Sequence, residues 1–461
     1  MRHPTLERPG ANVAVERLPR RLGLWSTAAV LVGITIGSGI FRVPSVVATQ
    51  VGSVGGAALV WLLGAAVTLA GALTLVALVT AFPSSGGVYV YLREGYGPVA
   101  AFLFGWIKLL VTGPSALAAI ALIFASYARA FAPLSDGQVK IVAGALILIL
   151  SAANIRSVDW SARVQKVSAS AKVIALAFLA VLIFLFGTPG EGALFEPYSW
   201  SPASWGGFGL ALMSVLWTYA GWVDLTYIAG EVRDPARTFP RAMLGGIAVI
   251  ILVYLLANAA YMYVLTTPAM AESTLVASDA ARRVFGAPGA SLVAALVMVA
   301  TVGALNGSIL TSPRVFFSMA EDGLFFRSVA AVHSRYQTPH FAITVYTVLG
   351  LAGVAISTFE QLAEIFVLGI WPFYGLAVGA VFFIGRRRPD LIPLWRSFGY
   401  PLLPLAFLLV TVAMLTNGLV RRPMESAISF GIIVLGIPVY YIWQAMRARA
   451  PQPSRDSAGG I

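Results

Sequence analysis

Three features of this chain hold residue types that chemistry needs, and all lie within long apolar runs. The first, "GITIGSGIF" at residues 33–41, is centred on Gly37-Ser38-Gly39. Its glycines allow torsions that other residues avoid and expose backbone amides to an approaching group. Amides at the start of a resumed helix attract a carboxylate. The same small residues also suit close helix packing, and both readings stand on this stretch alone. A nucleotide-binding fingerprint fits poorly, because that motif needs a strand, a turn and a helix in water. The second feature, "WTYAGWVDLTYIAGEVRDPARTFP" at 217–240, sets Trp217, Tyr219 and Trp222 around Ala220-Gly221 and follows them with Asp224. The third is a pair of lysines, Lys108 in "FGWIKLL" and Lys172 in "RVQKVSASAKVIALA". A lysine in an apolar span is costly and marks function unless it snorkels from near an end.

The elements that must position these residues are membrane helices. The chain has 461 residues, 59% hydrophobic and 11% charged, with a mean hydropathy of +0.84. A soluble domain carries about 25% charged residues, so the polar surface that water requires is missing. Apolar runs long enough to cross a bilayer recur from end to end. Twelve candidate spans fall near 25–49, 54–80, 98–128, 139–155, 167–187, 207–229, 241–264, 289–319, 340–358, 364–384, 400–419 and 427–446. The longest polar regions lie near 188–206, 265–288 and 320–340; the first suits an interfacial loop and the second a short external helix.

A formal charge of +12 does not imply nucleic acid here, because the basic residues sit mainly in alternate short connections, as the positive-inside rule expects. With the N-terminus in the cytoplasm, both tails (1–24 and 447–461) are inside. Inside segments then carry 22 Lys/Arg against 6 outside, while Arg42, Lys108 and Lys172 fall within apolar segments. This predicts a multi-pass protein of the plasma (inner) membrane, with the lipid bilayer as its main partner. There are no cysteines, hence neither disulfides nor thiolate ligands. The basic N-terminal residues lack the cleavage pattern of a signal peptide.

Non-helical backbone survives in hydrocarbon only where protein or a water-filled cavity surrounds it. Paired discontinuities in the first and sixth spans, five apart, fit an internally repeated transporter with a central site. That divides the chain into repeats at 25–187 and 207–384, with two further helices over 398–446. Enzymatic chemistry has little to work with. The three histidines, His3, His333 and His340, lie outside the apolar spans, and no HExxH, Cys nucleophile or GxSxG elbow is present. A channel would need a polar pore rather than two local breaks.

The two quoted breaks resemble the first and sixth helices of the amino acid–polyamine–organocation superfamily. "GALNGSILTSPRVFFSMAEDG" at 303–323 and "RVQKVSASAKVIALA" at 163–177 look like helices eight and five of its amino-acid-exchanging branch, the L-type transporters and their bacterial relatives. The resemblance implies an all-α fold of twelve transmembrane helices in a five-plus-five inverted repeat, with helices one and six unwound at mid-membrane. It implies that the backbone of Ile36, Gly37, Ser38, Gly39 and Ile40 receives a substrate α-carboxylate. Carbonyls around Trp217, Thr218 and Tyr219 would receive the α-ammonium, with Ala220 and Gly221 leaving room beside it. Trp217 takes the place of an aromatic gate, with ordinary packing as its other reading.

At Lys172 the family places a lysine that substitutes for a sodium ion between helices one, five and eight. A fixed cation, proton-linked function and snorkelling are its three readings. Ser308 and Thr311 fall near that cation locus or serve as glue between helices, as does Asn306. The resemblance does not settle Lys108 or Asp224, which either pair with each other or touch substrate. Glu231 matches the family at the end of the sixth span, although Gly230 stands where relatives commonly have a second acid. These readings predict sodium-independent exchange of neutral L-amino acids by alternating access. A proton-coupled amino acid importer is the nearest alternative, and a membrane enzyme or channel the distant one. No cofactor or metal is expected, and any accessory subunit or self-association would be non-covalent.

Overall fold

The computed structural model describes residues 18–190, 202–356, 359–391 and 399–449. Much of the loop expected over 188–206, and most of both tails, therefore lie outside the described residues. What is described is helical, apart from an isolated parallel bridge between Leu22 and Val232. In chain order the helices are α1 (Leu24–Thr35), α2 (Gly39–Val51), α3 (Val54–Ala81), α4 (Val88–Tyr96) and α5 (Pro98–Ile107). A π-helical turn over Lys108–Thr112 leads into α6 (Gly113–Tyr127), α7 (Asp136–Arg156) and α8 (Val158–Phe186). Then follow α9 (Pro202–Tyr219), α10 (Gly221–Asp224), a 3₁₀ stretch over Leu225–Glu231, α11 (Pro235–Val264), α12 (Thr267–Glu272), α13 (Val276–Thr311) and α14 (Pro313–Glu321). The chain finishes with α15 (His340–Ile356), α16 (Phe359–Arg387), α17 (Leu402–Arg421) and α18 (Pro423–Arg449).

Eleven helical segments among the described residues are long and apolar enough to cross a membrane, and α15 is a shorter apolar helix. Local chemistry sets their ends. Ser53 accepts from Gly56 N at 3.1 Å to start α3. Ser135 and Gln138 form a capping box at α7, satisfying two amides that helix geometry leaves orphaned. Inside α13, Gly286 takes φ +67° just before Pro288, so a short outer segment turns into the long inner one. That kink, with the short helix α12, occupies the polar region expected near 265–288.

The span carrying Lys172 shows how the bundle sorts its faces. Val167, Ile174, Phe178, Val181 and Leu185 of α8 are exposed, whereas Gln165, Ser168, Lys172, Leu179 and Ile183 are buried. In a water-soluble helix the apolar stripe points inward; here the exposed stripe is apolar and the polar side chains look into the protein. Helix α8 lies against α1, α11 and α13, and α2 lies against α9. The outer helices α17 and α18 likewise expose Leu409, Val412, Val434 and Leu435, apolar surface that lipid covers.

Candidate functional site

The two interrupted runs interlock. A Cβ on Gly39, the first residue of α2, would come within 2.6–2.9 Å of the Thr218 side chain. A Cβ on Gly221, the first residue of α10, would come within 2.5 Å of Thr35 Oγ1. Glycine is what lets each break press against the other. In the first run, α1 stops at Thr35, and Ile36 departs from helical torsion with ψ +84°. Ile36 N donates to Val32 O at 2.9 Å and Gly37 N to Thr35 O at 2.8 Å. The amides of Ser38, Gly39 and Ile40 then start a fresh helix, where no preceding helical carbonyl is available to them.

The sixth run is interrupted differently. Ala220 keeps φ −62° and ψ −18°, so the chain does not open into an extended gap. It changes pitch, passing from α9 through one turn residue and short α10 into 3₁₀ helix. Trp217 O accepts from Ala220 N at 3.1 Å. Tyr254 of α11 places its hydroxyl 2.5 Å from Thr35 O and 3.2 Å from Thr218 O. A phenol has one proton, so the shorter contact takes it and the Thr218 carbonyl keeps acceptor capacity. Tyr254 thus ties both breaks together. Tyr219 is buried between Trp61 and Tyr254, with ring centroids 5.9 and 5.1 Å away. Trp217 is half-buried beside the break, whereas Trp222 turns away to pack edge-on against Phe407.

Lys172 points inward rather than to the membrane surface. Its Nζ donates to Gly33 O at 2.8 Å, Ile36 O at 2.6 Å and Ala300 O at 3.0 Å. One ammonium therefore uses three donors on three carbonyls, two of them at the end of α1 and one on α13. Gln165, two turns earlier on α8, donates to Gly303 O at 2.6 Å, and Ser168 to Val299 O at 3.3 Å. Together these side chains fasten α8 to α13 and, through Lys172, to the first break.

The other sequence-predicted positions separate. Ser308 shares a hydrogen bond with Tyr346 Oη at 2.8 Å, and Tyr346 donates to Gly113 O at 3.0 Å. Thr311 bonds back to Gly307 O at 3.0 Å. Asn306 accepts from Asn154 Nδ2 at 2.8 Å and donates to Ser161 O at 3.2 Å, while Ser161 donates to Asn154 Oδ1 at 2.7 Å. Ser308 and Asn306 thus work between helices and Thr311 bonds within its own, all with partners other than Lys172. Lys108 and Asp224 do meet, with Nζ and Oδ1 3.4 Å apart.

At the end of the bundle where the sixth run finishes, Glu231 receives Arg314 in a fork, Nε to Oε1 at 2.7 Å and Nη2 to Oε2 at 3.2 Å, with both side chains buried. The Glu231 carbonyl also accepts the amides of Arg21 and Leu22, each at 2.9 Å. On the same end, Tyr89 donates to Asp322 at 2.9 Å and Arg93 bonds the same carboxylate. Burial and the Asp322 charge hold the Tyr89 phenol well above its usual range.

With this geometry in place, comparison with known proteins is decisive. The amino acid permease family model matches residues 22–443. The chain belongs to the amino acid permease family. Among its relatives, a serine/threonine exchanger of Bacillus subtilis is 32% identical over 92% of this chain and 97% of its own length. The human large neutral amino acids transporter small subunit 2 is 32% identical over 94% of this chain and 82% of its own. The mouse b(0,+)-type amino acid transporter 1 is 30% identical over 92% and 88%.

Several residues of the permease escaped the sequence reading. Arg314 counts there as a charge of the inside connections, yet it is buried 1% exposed inside the helical run. Its position within "SPRVFFS", flanked by apolar residues, was the available signal. Gln165 lies seven residues before Lys172 on the same helix face, so the Lys172 assignment already pointed to it. Tyr254 and Asn154 had no such signal, because only the packing of α11 and α7 brings them to the breaks and to Asn306.

Proposed function

We propose that the chain exchanges neutral L-amino acids across the plasma (inner) membrane, without sodium, by alternating access. The observation that carries the reading is the triple coordination of the Lys172 ammonium by Gly33, Ile36 and Ala300 carbonyls. A fixed positive charge at the junction of α1, α8 and α13 occupies the carbonyl oxygens that would otherwise attract a small cation. A compact ammonium suits that task. The relatives' names, which include a serine/threonine exchanger and large neutral amino acid transporters, support the substrate class and the exchange mode.

In this reading the amides of Ser38, Gly39 and Ile40, with Ile36 and Gly37 shaping the break, hold the α-carboxylate. The carbonyls of Trp217, Thr218 and Tyr219 hold the α-ammonium, and Ala220 and Gly221 leave space beside them. Trp217 closes over the bound amino acid as an apolar lid. Twelve spans are assigned, α15 being the ninth, and residues 25–187 and 207–384 form inverted repeats followed by two further helices over 398–446. The charge asymmetry supports cytoplasmic termini, which places the Glu231–Arg314 fork and the Asp322 cluster at the inner mouth. One relative is named a small subunit; any corresponding helper here would bind non-covalently, because the chain has no cysteine.

The test is uptake of single radiolabelled L-amino acids into proteoliposomes, with and without unlabelled internal amino acid. Sodium and proton gradients are applied separately. Dependence on internal amino acid with indifference to both ions is expected. Accumulation in empty vesicles under a proton gradient would sink exchange in favour of the proton-coupled importer.

A further inference from the structure

The Lys108–Asp224 pair has no part in holding the two breaks together. Lys108 is 1% exposed and starts the π-helical turn 108–112, a distortion frequent at functional sites. An ammonium has three donors, yet among the described residues Lys108 Nζ has one hydrogen-bond acceptor, Asp224 Oδ1, at 3.4 Å. That is well beyond the roughly 2.7–2.9 Å of a firm charge-assisted bond. The face of Tyr227 lies 5.0 Å from the same nitrogen.

The surroundings are polar and under-used. The Thr112 hydroxyl, on the same turn, is buried without a partner. The Tyr227 hydroxyl lies within interaction range of both Asp224 and the Tyr374 hydroxyl. Asp224 keeps 14% exposure between Val223 and Leu225, both fully buried. Asp224 also follows Ala220-Gly221 by about one helical turn, roughly 5–6 Å along the axis, within reach of the side chain of an amino acid held at the breaks.

We propose that Lys108 and Asp224 form the side-chain subsite of this transporter, and that they select amino acids whose side chain ends in a hydroxyl or a carboxamide. The inference rests on the exchange reading above. Such a group is neutral and can both accept and donate: it accepts from Lys108 Nζ and donates to Asp224 Oδ1, replacing one long contact by two short ones. A carboxylate would meet Asp224 and an ammonium would meet Lys108, each a like charge in a buried site. An apolar side chain would leave the pair with its one long contact and no further hydrogen bonds.

Threonine and valine have nearly the same shape and differ by the hydroxyl, so their exchange ratio reads the subsite directly; asparagine and leucine give a second pair. Wild-type protein in proteoliposomes should favour threonine over valine by about tenfold or more in kcat/KM, since a site built to bond a hydroxyl rejects the analogue that lacks it. In Lys108→Met/Asp224→Leu that ratio should fall to about one, both charges having been replaced by apolar groups of similar size. Asp224→Asn, which keeps the shape and frees the cation, should gain aspartate exchange by about tenfold. A wild-type ratio near one, a preference kept in the double variant, or no gain of aspartate in Asp224→Asn overturns the subsite. Failure of the wild type to exchange any of these amino acids would instead overturn the exchange reading beneath it.

Discussion

Two lysines are buried in this protein to nearly the same degree, Lys172 at 3% exposure and Lys108 at 1%, yet they are held in opposite ways. Lys172 spends all three donors on backbone carbonyls between 2.6 and 3.0 Å away. Lys108 has one carboxylate at 3.4 Å and an aromatic face. Burial of a charge is tolerated only when hydrogen bonds and counter-charge replace water. Lys172 has the hydrogen bonds without a counter-ion, whereas Lys108 has the counter-ion but lacks the bonds. A saturated ammonium braces the structure around it. An under-coordinated one has capacity left for something that arrives.

The sharpest way to break this comparison is Lys172→Met. Hydrogen bonds to charged groups are worth about 1.5–3 kcal/mol each, so losing three should destabilise the bundle by about 4 kcal/mol or more and abolish exchange of every amino acid. Thermal unfolding in detergent and proteoliposome exchange give the two readouts. A variant that stays folded and exchanges normally would reduce Lys172 to a bystander. Lys172→Arg should rescue poorly, because a planar guanidinium cannot meet three carbonyls converging on one point.

A third buried cation sharpens the contrast from the other side. Arg314 combines what the two lysines divide between them, a counter-ion and good geometry. Removing one partner of a buried pair costs about 3–5 kcal/mol, so Arg314→Met should lower thermal stability by that amount. It should also loosen residues 21–22, whose amides rest on the Glu231 carbonyl. Faster amide exchange at Arg21 and Leu22 would show this directly. A double-mutant cycle with Glu231→Gln should recover much of the loss, since the penalty comes chiefly from the stranded charge.

The sequence made one of these cations easier to interpret than the others. Lys172 stood out because lipid-length apolar runs seldom contain lysine, and its neighbours matched a family pattern. Its three acceptors were invisible, since backbone carbonyls carry no residue signature. Lys108 and Asp224 were legible as candidates for pairing because both are charged and intramembrane, but the long distance between them was not. For Ser308 and Thr311 the resemblance leaves both the cation locus and interhelical glue open; a helix presents a different direction every residue, and Ser308 faces Tyr346. Eleven helical segments among the described residues are long and apolar enough to cross a membrane, and hydropathy located them more surely than their ends, the fifth beginning at Val158 rather than near 167 and the eighth at Val276 rather than near 289. The break at Ala220-Gly221 was legible from its small residues, but its form, a change of pitch at φ −62° and ψ −18° rather than an extended gap, was not.

Lys108→Met should cost less than either change above. The bond removed is long, so about 1–2 kcal/mol is expected, at the low end for a group left unpaired in the interior. Stability should return in Lys108→Met/Asp224→Leu. If the single variant proved as damaging as Lys172→Met, the two lysines would be equivalent braces and their different coordination would have no energetic meaning.

The smallest effect belongs to Ser308→Ala. Its hydroxyl shares one hydrogen bond, with Tyr346 Oη at 2.8 Å, and Tyr346 retains its bond to Gly113 O at 3.0 Å after the change. A neutral hydrogen bond contributes about 1 kcal/mol net, so stability should fall by about that much, with exchange kept and sodium still without effect. A sodium response in Ser308→Ala would place this hydroxyl at the cation locus after all and would mean that Lys172 does not fill that locus alone. Tyr346→Phe is the informative partner, because it removes both bonds at once and should cost more than Ser308→Ala. If the two variants cost the same, the Gly113 bond carries no stability, and the Ser308–Tyr346 bond and packing hold the junction of α6, α13 and α15.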